Sequence, residues 1–159
     1  MSLSTSRISV EKLQSSLQAK AKSEPSYRFY SLWDKICRED VLHEAYRRSR
    51  ANAGASGVDG IDFEQIEAQG REQWLGTLRE ELRSRSYAPQ PLLRVWIPKR
   101  NGGQRPLSIP TVTDRVVQTA VVLVLGAIFE ADLRPQQYGF RPGLREDGGA
   151  SRVLPHHSA

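Results

Sequence analysis

The sequence predicts an α+β fold, with a helical N-terminal half, one β-hairpin and one buried helix. Three observations predict it. Apolar residues up to Leu82 recur at helical spacing, an extended run from Leu92 to Ile109 is interrupted by Asn101-Gly102-Gly103, and the stretch from Val112 to Glu130 is apolar around most of a helix's circumference.

Residues 1–26 are rich in Ser, Lys and Gln, and Val10, Leu13 and Leu17 make only a narrow stripe. A flexible arm, disordered or loosely helical, is expected there. From Tyr27 the pattern strengthens. Phe29, Leu32, Trp33 and Ile36 form one stripe, and Asp40 is suited to cap a second helix carrying Val41, Leu42, Ala45 and Tyr46. That helix ends in Arg47, Arg48 and Arg50, cations that suit a helix C-terminus whether they face solvent or an anionic partner. Ala51 to Gly60 carries three glycines in ten residues and reads as a loop, with Asp59-Gly60 as a turn. Asp62 with Gln65 resembles a capping box, and a longer helix covers Gln73 to Arg83 with Trp74, Leu75, Leu78 and Leu82 on one side. Tyr87-Ala88-Pro89 ends it.

In the extended run, Val95 and Ile97 point to one side and Arg94 and Trp96 to the other, and Asn101-Gly102-Gly103 supplies a tight reversal. Pro98, Pro106 and Pro110 remove backbone donors, so the strands form a projecting two-stranded finger rather than the middle of a sheet. From Leu82 to Arg115 there are seven basic residues and one acidic, a charge of +6 against +5 for the whole chain. Lys99 and Arg105 flank the turn and could clamp a triphosphate or a nucleic-acid backbone, Lys as a point charge and Arg as a bidentate fork. Register decides whether they cooperate. An even-numbered loop puts them on opposite faces; a three-residue loop, Asn101 to Gly103 with Gly103 left-handed, puts them opposite each other on one face. The alternative is a solvated hairpin whose charges suppress edge pairing.

After the hairpin, Thr111 or Thr113 caps the last helix, with Asp114 in its first turn. A helix apolar nearly all round must be buried. Arg115 and Gln118 are its exceptions. Gln136 to Gly143 is irregular, and Tyr138, Phe140 and Arg141 there can stack on bases or ribose.

A hydrophobic content of 38%, a charged content of 26% and a pI near 9.7 point to an anionic partner, nucleic acid first. The longest apolar run, Ala120 to Phe129, is too short to span a bilayer, and the opening residues lack the apolar core of a signal peptide, so no membrane partner and a cytoplasmic chain are expected. The single cysteine, Cys37, lies on a helical apolar face and reads as a buried structural thiol. There is no zinc motif, no P-loop and no Ser-His-Asp arrangement.

The blocks VWIPKRNGGQRPLSIPTVTDRVVQTA and IFEADLRPQQYGFRPG, with GASGVDGI and LRSRSYAPQPLLRV upstream, resemble in order the fingers and upper-palm motifs of group II intron-encoded reverse transcriptases, or maturases. The resemblance runs from about Leu32 to Gly143. It implies the fingers of a right-handed polymerase, nucleotide-phosphate binding by Lys99 and Arg105, and RNA or template contacts from Arg94, Arg100, Arg115, Tyr138, Phe140 and Arg141. It also implies intron RNA or template-primer and dNTP as partners and Mg2+ as the full-length family's metal, with no cofactor held by this chain itself. Residues 27–143 are expected to form a partial reverse transcriptase domain and 144–159 an unfolded tail outside the family pattern. No block resembles the paired-aspartate motif that two-metal nucleotidyl transfer requires, so no catalytic residue is assigned and the chain alone is expected to be inactive. The expectation is an N-terminal part of such an enzyme, with an uncovered apolar helix that favours self-association. A free-standing basic RNA-binding protein and a non-functional remnant are the alternatives.

Overall fold

A computed structural model describes residues 3–133. Six helices and one hairpin follow in the order α1 (Leu3–Ser23), α2 (Leu32–Ile36), α3 (Glu39–Ala51), α4 (Phe63–Gln69), α5 (Arg71–Ser84), β1 (Leu93–Pro98), β2 (Gln104–Ile109) and α6 (Val112–Phe129). This is the expected α+β composition. The expectations for Tyr138, Phe140 and Arg141, and for the segment 144–159, lie outside the described residues.

The apolar helix α6 is the centre, because it has the most surface to hide. Val112, Val116, Val117, Ala120, Leu123 and Val124 are buried, and α1, α2 and α3 pack on it. With 18 residues α6 is long and apolar enough to cross a bilayer, which the shorter run from Ala120 did not suggest. Its surface is used otherwise, against neighbouring helices. The cover is incomplete: Val122 and Phe129 are 66% and 61% exposed.

The N-terminal arm takes the helical alternative. Residues 3–23 form a helix docked on α3 and α6, with Val10, Leu17 and Ala21 buried and Leu13 partly so. Fully burying Val10 and Leu17 contributes about 1.5–3 kcal/mol each. Ser6, 1% exposed, extends the narrow stripe with a small side chain, and the Gln14 amide donates to the Leu123 carbonyl at 3.0 Å. The stripe covers α3 and α6 together.

Two boundaries also shift. Ser31 has φ 58, so α2 starts at Leu32 and Phe29 packs from outside it, while the Trp33 indole N–H donates to the Leu82 carbonyl at 3.0 Å. Asp40 is not a cap, since α3 starts at Glu39. Its buried carboxylate accepts from Arg38 Nε at 2.9 Å, Arg38 Nη2 at 2.6 Å and the Val41 amide at 3.0 Å. Asp62 and Gln65 do form the reciprocal capping box of α4. Thr111 caps α6 by accepting from the Asp114 amide. Cys37 is buried, and burial pushes its thiol up in pKa.

Candidate nucleic-acid interface

The hairpin is antiparallel, with Leu93 paired to Ile109, Val95 to Leu107, Ile97 to Arg105 and Pro98 to Gln104. The Lys99 amide donates to the Gly103 carbonyl at 2.6 Å, so the loop is Arg100-Asn101-Gly102. Gly102, with φ 83, takes the left-handed position. The loop therefore has the three residues considered from the sequence but starts one residue earlier. Shifting the register by two leaves side-chain parity unchanged. Lys99 and Arg105 share one face as diagonal neighbours, with Val95, Ile97 and Leu107 behind them. Arg94 and Trp96 lie on the other face, and Arg100 is in the turn.

Hydrogen bonding at Lys99–Gly103 makes alternate pairs back to Leu93–Ile109 the bonded ones. Pro98 and Pro106 consequently fall at positions whose N–H would point outward. They cost the ladder nothing and blunt both free edges. Both faces are open: Trp96 is 57% and Leu107 45% exposed, and Lys99, Arg100 and Arg105 are exposed.

The base of this finger is fixed by Asp114, 3% exposed in the first turn of α6. Its carboxylate accepts from the Tyr87 hydroxyl, the Gln90 amide at 3.2 Å and the Thr111 hydroxyl at 2.8 Å, so the chain entering β1 and the chain leaving β2 are held by one anion. Burial, then the bond to Asp114, pushes the Tyr87 phenol far above the ordinary tyrosine range. The sequence reading treated Asp114 as a dipole partner and Tyr87 as a helix stop. The missed signal was a tyrosine and an aspartate flanking the hairpin at its two ends.

Arg115 is used within the fold, through backbone carbonyls rather than a carboxylate. Its Nη1 and Nη2 donate to the Ala53 and Ala55 carbonyls at 3.0 and 2.9 Å, and its guanidinium lies 5.5 Å from the Phe63 ring centroid. It clips the glycine loop to α6. Gly57 makes the approach possible, since a Cβ there would stand 2.6 Å from the Thr111 amide nitrogen. Asp59 accepts from the Ile61 amide at 3.2 Å, a local turn bond. Gln118 is exposed and lines, with Arg48, Asn52, Arg115 and Thr119, a cavity of about 430 Å3.

Three basic residues at or just before the end of α3 have carboxylate partners. Arg47 and Arg48 share the buried Glu44, and Arg50 pairs with Glu67. Among the described residues no group of three or more His, Cys, Asp or Glu side chains is fit to hold a metal ion.

The hairpin, exposed on both faces, carries Lys99 and Arg105 on one of them and is braced at its base on a helical platform. No protein-family profile matches the chain. Curated relatives do. The chain is 39% identical over 135 residues to protein YkfC of Escherichia coli, a match covering 84% of this chain and 35% of that protein. It is 35% identical over 115 residues to the group II intron-encoded protein LtrA of Lactococcus lactis, covering 72% of this chain and 19% of LtrA. A 91 kDa protein in the cob intron of Schizosaccharomyces pombe is 29% identical over 117 residues, covering 69% and 13%. The chain belongs to the group II intron-encoded reverse transcriptase/maturase family.

Proposed function

We propose that the chain supplies the phosphate-gripping fingers of a group II intron reverse transcriptase/maturase. The hairpin closes on the triphosphate of an incoming dNTP and on the backbone of template or intron RNA. The observation that carries this reading is the register: Lys99 and Arg105 share one face of a hairpin open on both sides. A point charge and a bidentate fork on one face can address neighbouring phosphate groups. Arg94 on the reverse face and Arg100 in the turn suit the RNA backbone. Tyr138, Phe140 and Arg141 supply stacking in the same reading. Arg115 contributes through the loop it holds.

The chain's part is binding and orientation. Two-metal nucleotidyl transfer needs carboxylates that hold Mg2+, and the described residues offer no such donor set. The chemical step is assigned to carboxylates outside them.

Titrating the wild-type chain, Lys99→Ala and Arg105→Ala with a nucleoside triphosphate and with single-stranded RNA tests this. Each substitution is expected to weaken binding about tenfold or more, the worth of a charge-assisted hydrogen bond, with the melting temperature nearly unchanged. Unchanged affinity for both ligands would contradict the reading. RNA binding without any triphosphate binding would favour a free-standing RNA-binding protein instead.

A further inference from the structure

On the side of α3 that faces α4 and α5, a cavity of about 220 Å3 is lined by His43, Tyr46, Arg47, Arg50, Glu67 and Arg71. It shares no residue with the hairpin or with the loop held by Arg115. Tyr46 is 2% exposed, and its ring is fixed edge-on against Phe63 and Trp74, with centroids 5.4 and 5.8 Å away. Its hydroxyl oxygen is buried and has no hydrogen-bond partner. Leaving such a group unsatisfied costs about 1–3 kcal/mol, so it calls for a ligand.

The lining is rich in donors. Arg47 engages Glu44 through Nε and Nη2, Arg71 engages Glu72 through the same two atoms, and Arg50 engages Glu67 through Nη1. Among the described residues each fork keeps at least one nitrogen that the fold does not use. The carboxylate in the lining, Glu67, is already bridged to Arg50. Burial pushes the Tyr46 phenol up in pKa, while Arg50 and Arg71, which line the same cavity, pull it down. The three guanidiniums are partly exposed, so their spare nitrogens reach solvent at the cavity mouth while the phenol lies behind them. A tetrahedral oxyanion offers several acceptors at once.

We propose that this cavity binds a phosphate-class oxyanion, held by the Tyr46 hydroxyl and the spare nitrogens of Arg50 and Arg71. The source is either a free phosphate group or a backbone phosphate of bound RNA, which makes this a second anion site independent of the hairpin.

The test uses the full chain, Tyr46→Phe, which keeps the ring packing, and Arg71→Gln, an exposed-edge change that leaves the core alone. Inorganic phosphate is titrated calorimetrically at constant ionic strength, and a single-stranded RNA oligonucleotide is titrated at several salt concentrations. Either source predicts that wild type binds phosphate saturably and that both variants weaken that binding about tenfold or more. If the natural occupant is an RNA phosphate, both variants also weaken RNA binding and Arg71→Gln, which removes a cation, lowers the log–log salt slope by up to about 0.7; if it is a free phosphate group, RNA binding and its slope do not change. The proposal is overturned if wild type shows no saturable phosphate binding, or if Tyr46→Phe leaves phosphate binding intact. Neither Tyr46 nor Arg71 belongs to the hairpin, so loss of triphosphate binding in Lys99→Ala and Arg105→Ala reports on the hairpin, whereas loss of phosphate binding in Tyr46→Phe reports on this cavity, and the two failures are separable.

Discussion

The Tyr87 hydroxyl donates to Oδ1 of Asp114, and this contact ties the chain entering the hairpin to the helix that leaves it. Its Oδ2 accepts from the Gln90 backbone amide and the Thr111 hydroxyl, so the finger stands on a buried anion with a donor to each oxygen. Tyr87→Phe removes one donor from that anion. We expect a loss of about 1–3 kcal/mol in urea denaturation. Stability equal to wild type would mean that the hairpin is braced elsewhere.

The same pair predicts an alkaline limit. The folded-state pKa of Tyr87 is raised above its unfolded value by burial and by Asp114, so its contribution is fully present below about pH 10 and is lost as pH rises through the folded value. Tyr46 and Cys37, also raised by burial, add to this slope. Stability should therefore fall above about pH 10, less steeply in Tyr87→Phe. An identical alkaline profile in the variant would contradict the assignment.

Gly57 should not tolerate a methyl group. The atoms its Cβ would meet are the Thr111 nitrogen and Cα and the Pro110 carbonyl carbon, at 2.6 to 2.9 Å, all backbone at the start of α6. Gly57→Ala is expected to cost about 1–3 kcal/mol. A Cβ at Gly76 would meet nothing within 4 Å, so Gly76→Ala, inside α5, serves as the control and should be neutral or stabilising. Equal stability of the two variants would show that the loop moves aside freely.

Acid sensitivity is expected from α3. Burial opposes the charge on Asp40 and on Glu44, but bonds from Arg38 and Ser9 to the first, and from Arg47 and Arg48 to the second, outweigh it and hold both carboxyls below their usual range. Their contribution is present above the unfolded value near pH 4 and is lost as pH falls through the lower folded values. Glu44→Gln should lower stability at pH 7 by about 1–3 kcal/mol and flatten the acid limb of the stability curve. An unchanged acid limb would count against the Arg47–Glu44–Arg48 cluster.

What the sequence disclosed was what local chemistry decides. The Asp62–Gln65 box, the Thr111 cap, α5 and the hairpin each follow from residues within a few positions of one another. The turn was displaced by one residue because Gly102 and Gly103 can both take positive φ, yet the face shared by Lys99 and Arg105 survived, since parity depends only on an odd loop. The docking of α1 was not legible, because its narrow stripe becomes a buried face only against α3 and α6, which are distant in sequence. Arg115 was read as an RNA or template contact and Asp114 as a helix-end charge, since their partners at Ala53, Ala55 and Tyr87 are distant in sequence.

The central claim is that Lys99 and Arg105 act together on phosphates from one hairpin face, and the salt dependence of single-stranded RNA binding tests it most directly. Wild type and the Lys99→Ala/Arg105→Ala double variant would be titrated between about 50 and 200 mM salt. If both residues neutralise phosphates, the log–log slope should be shallower in the double variant by about 1.4, twice the single-strand value of about 0.7 per phosphate. A double variant with the wild-type slope and affinity would contradict the account.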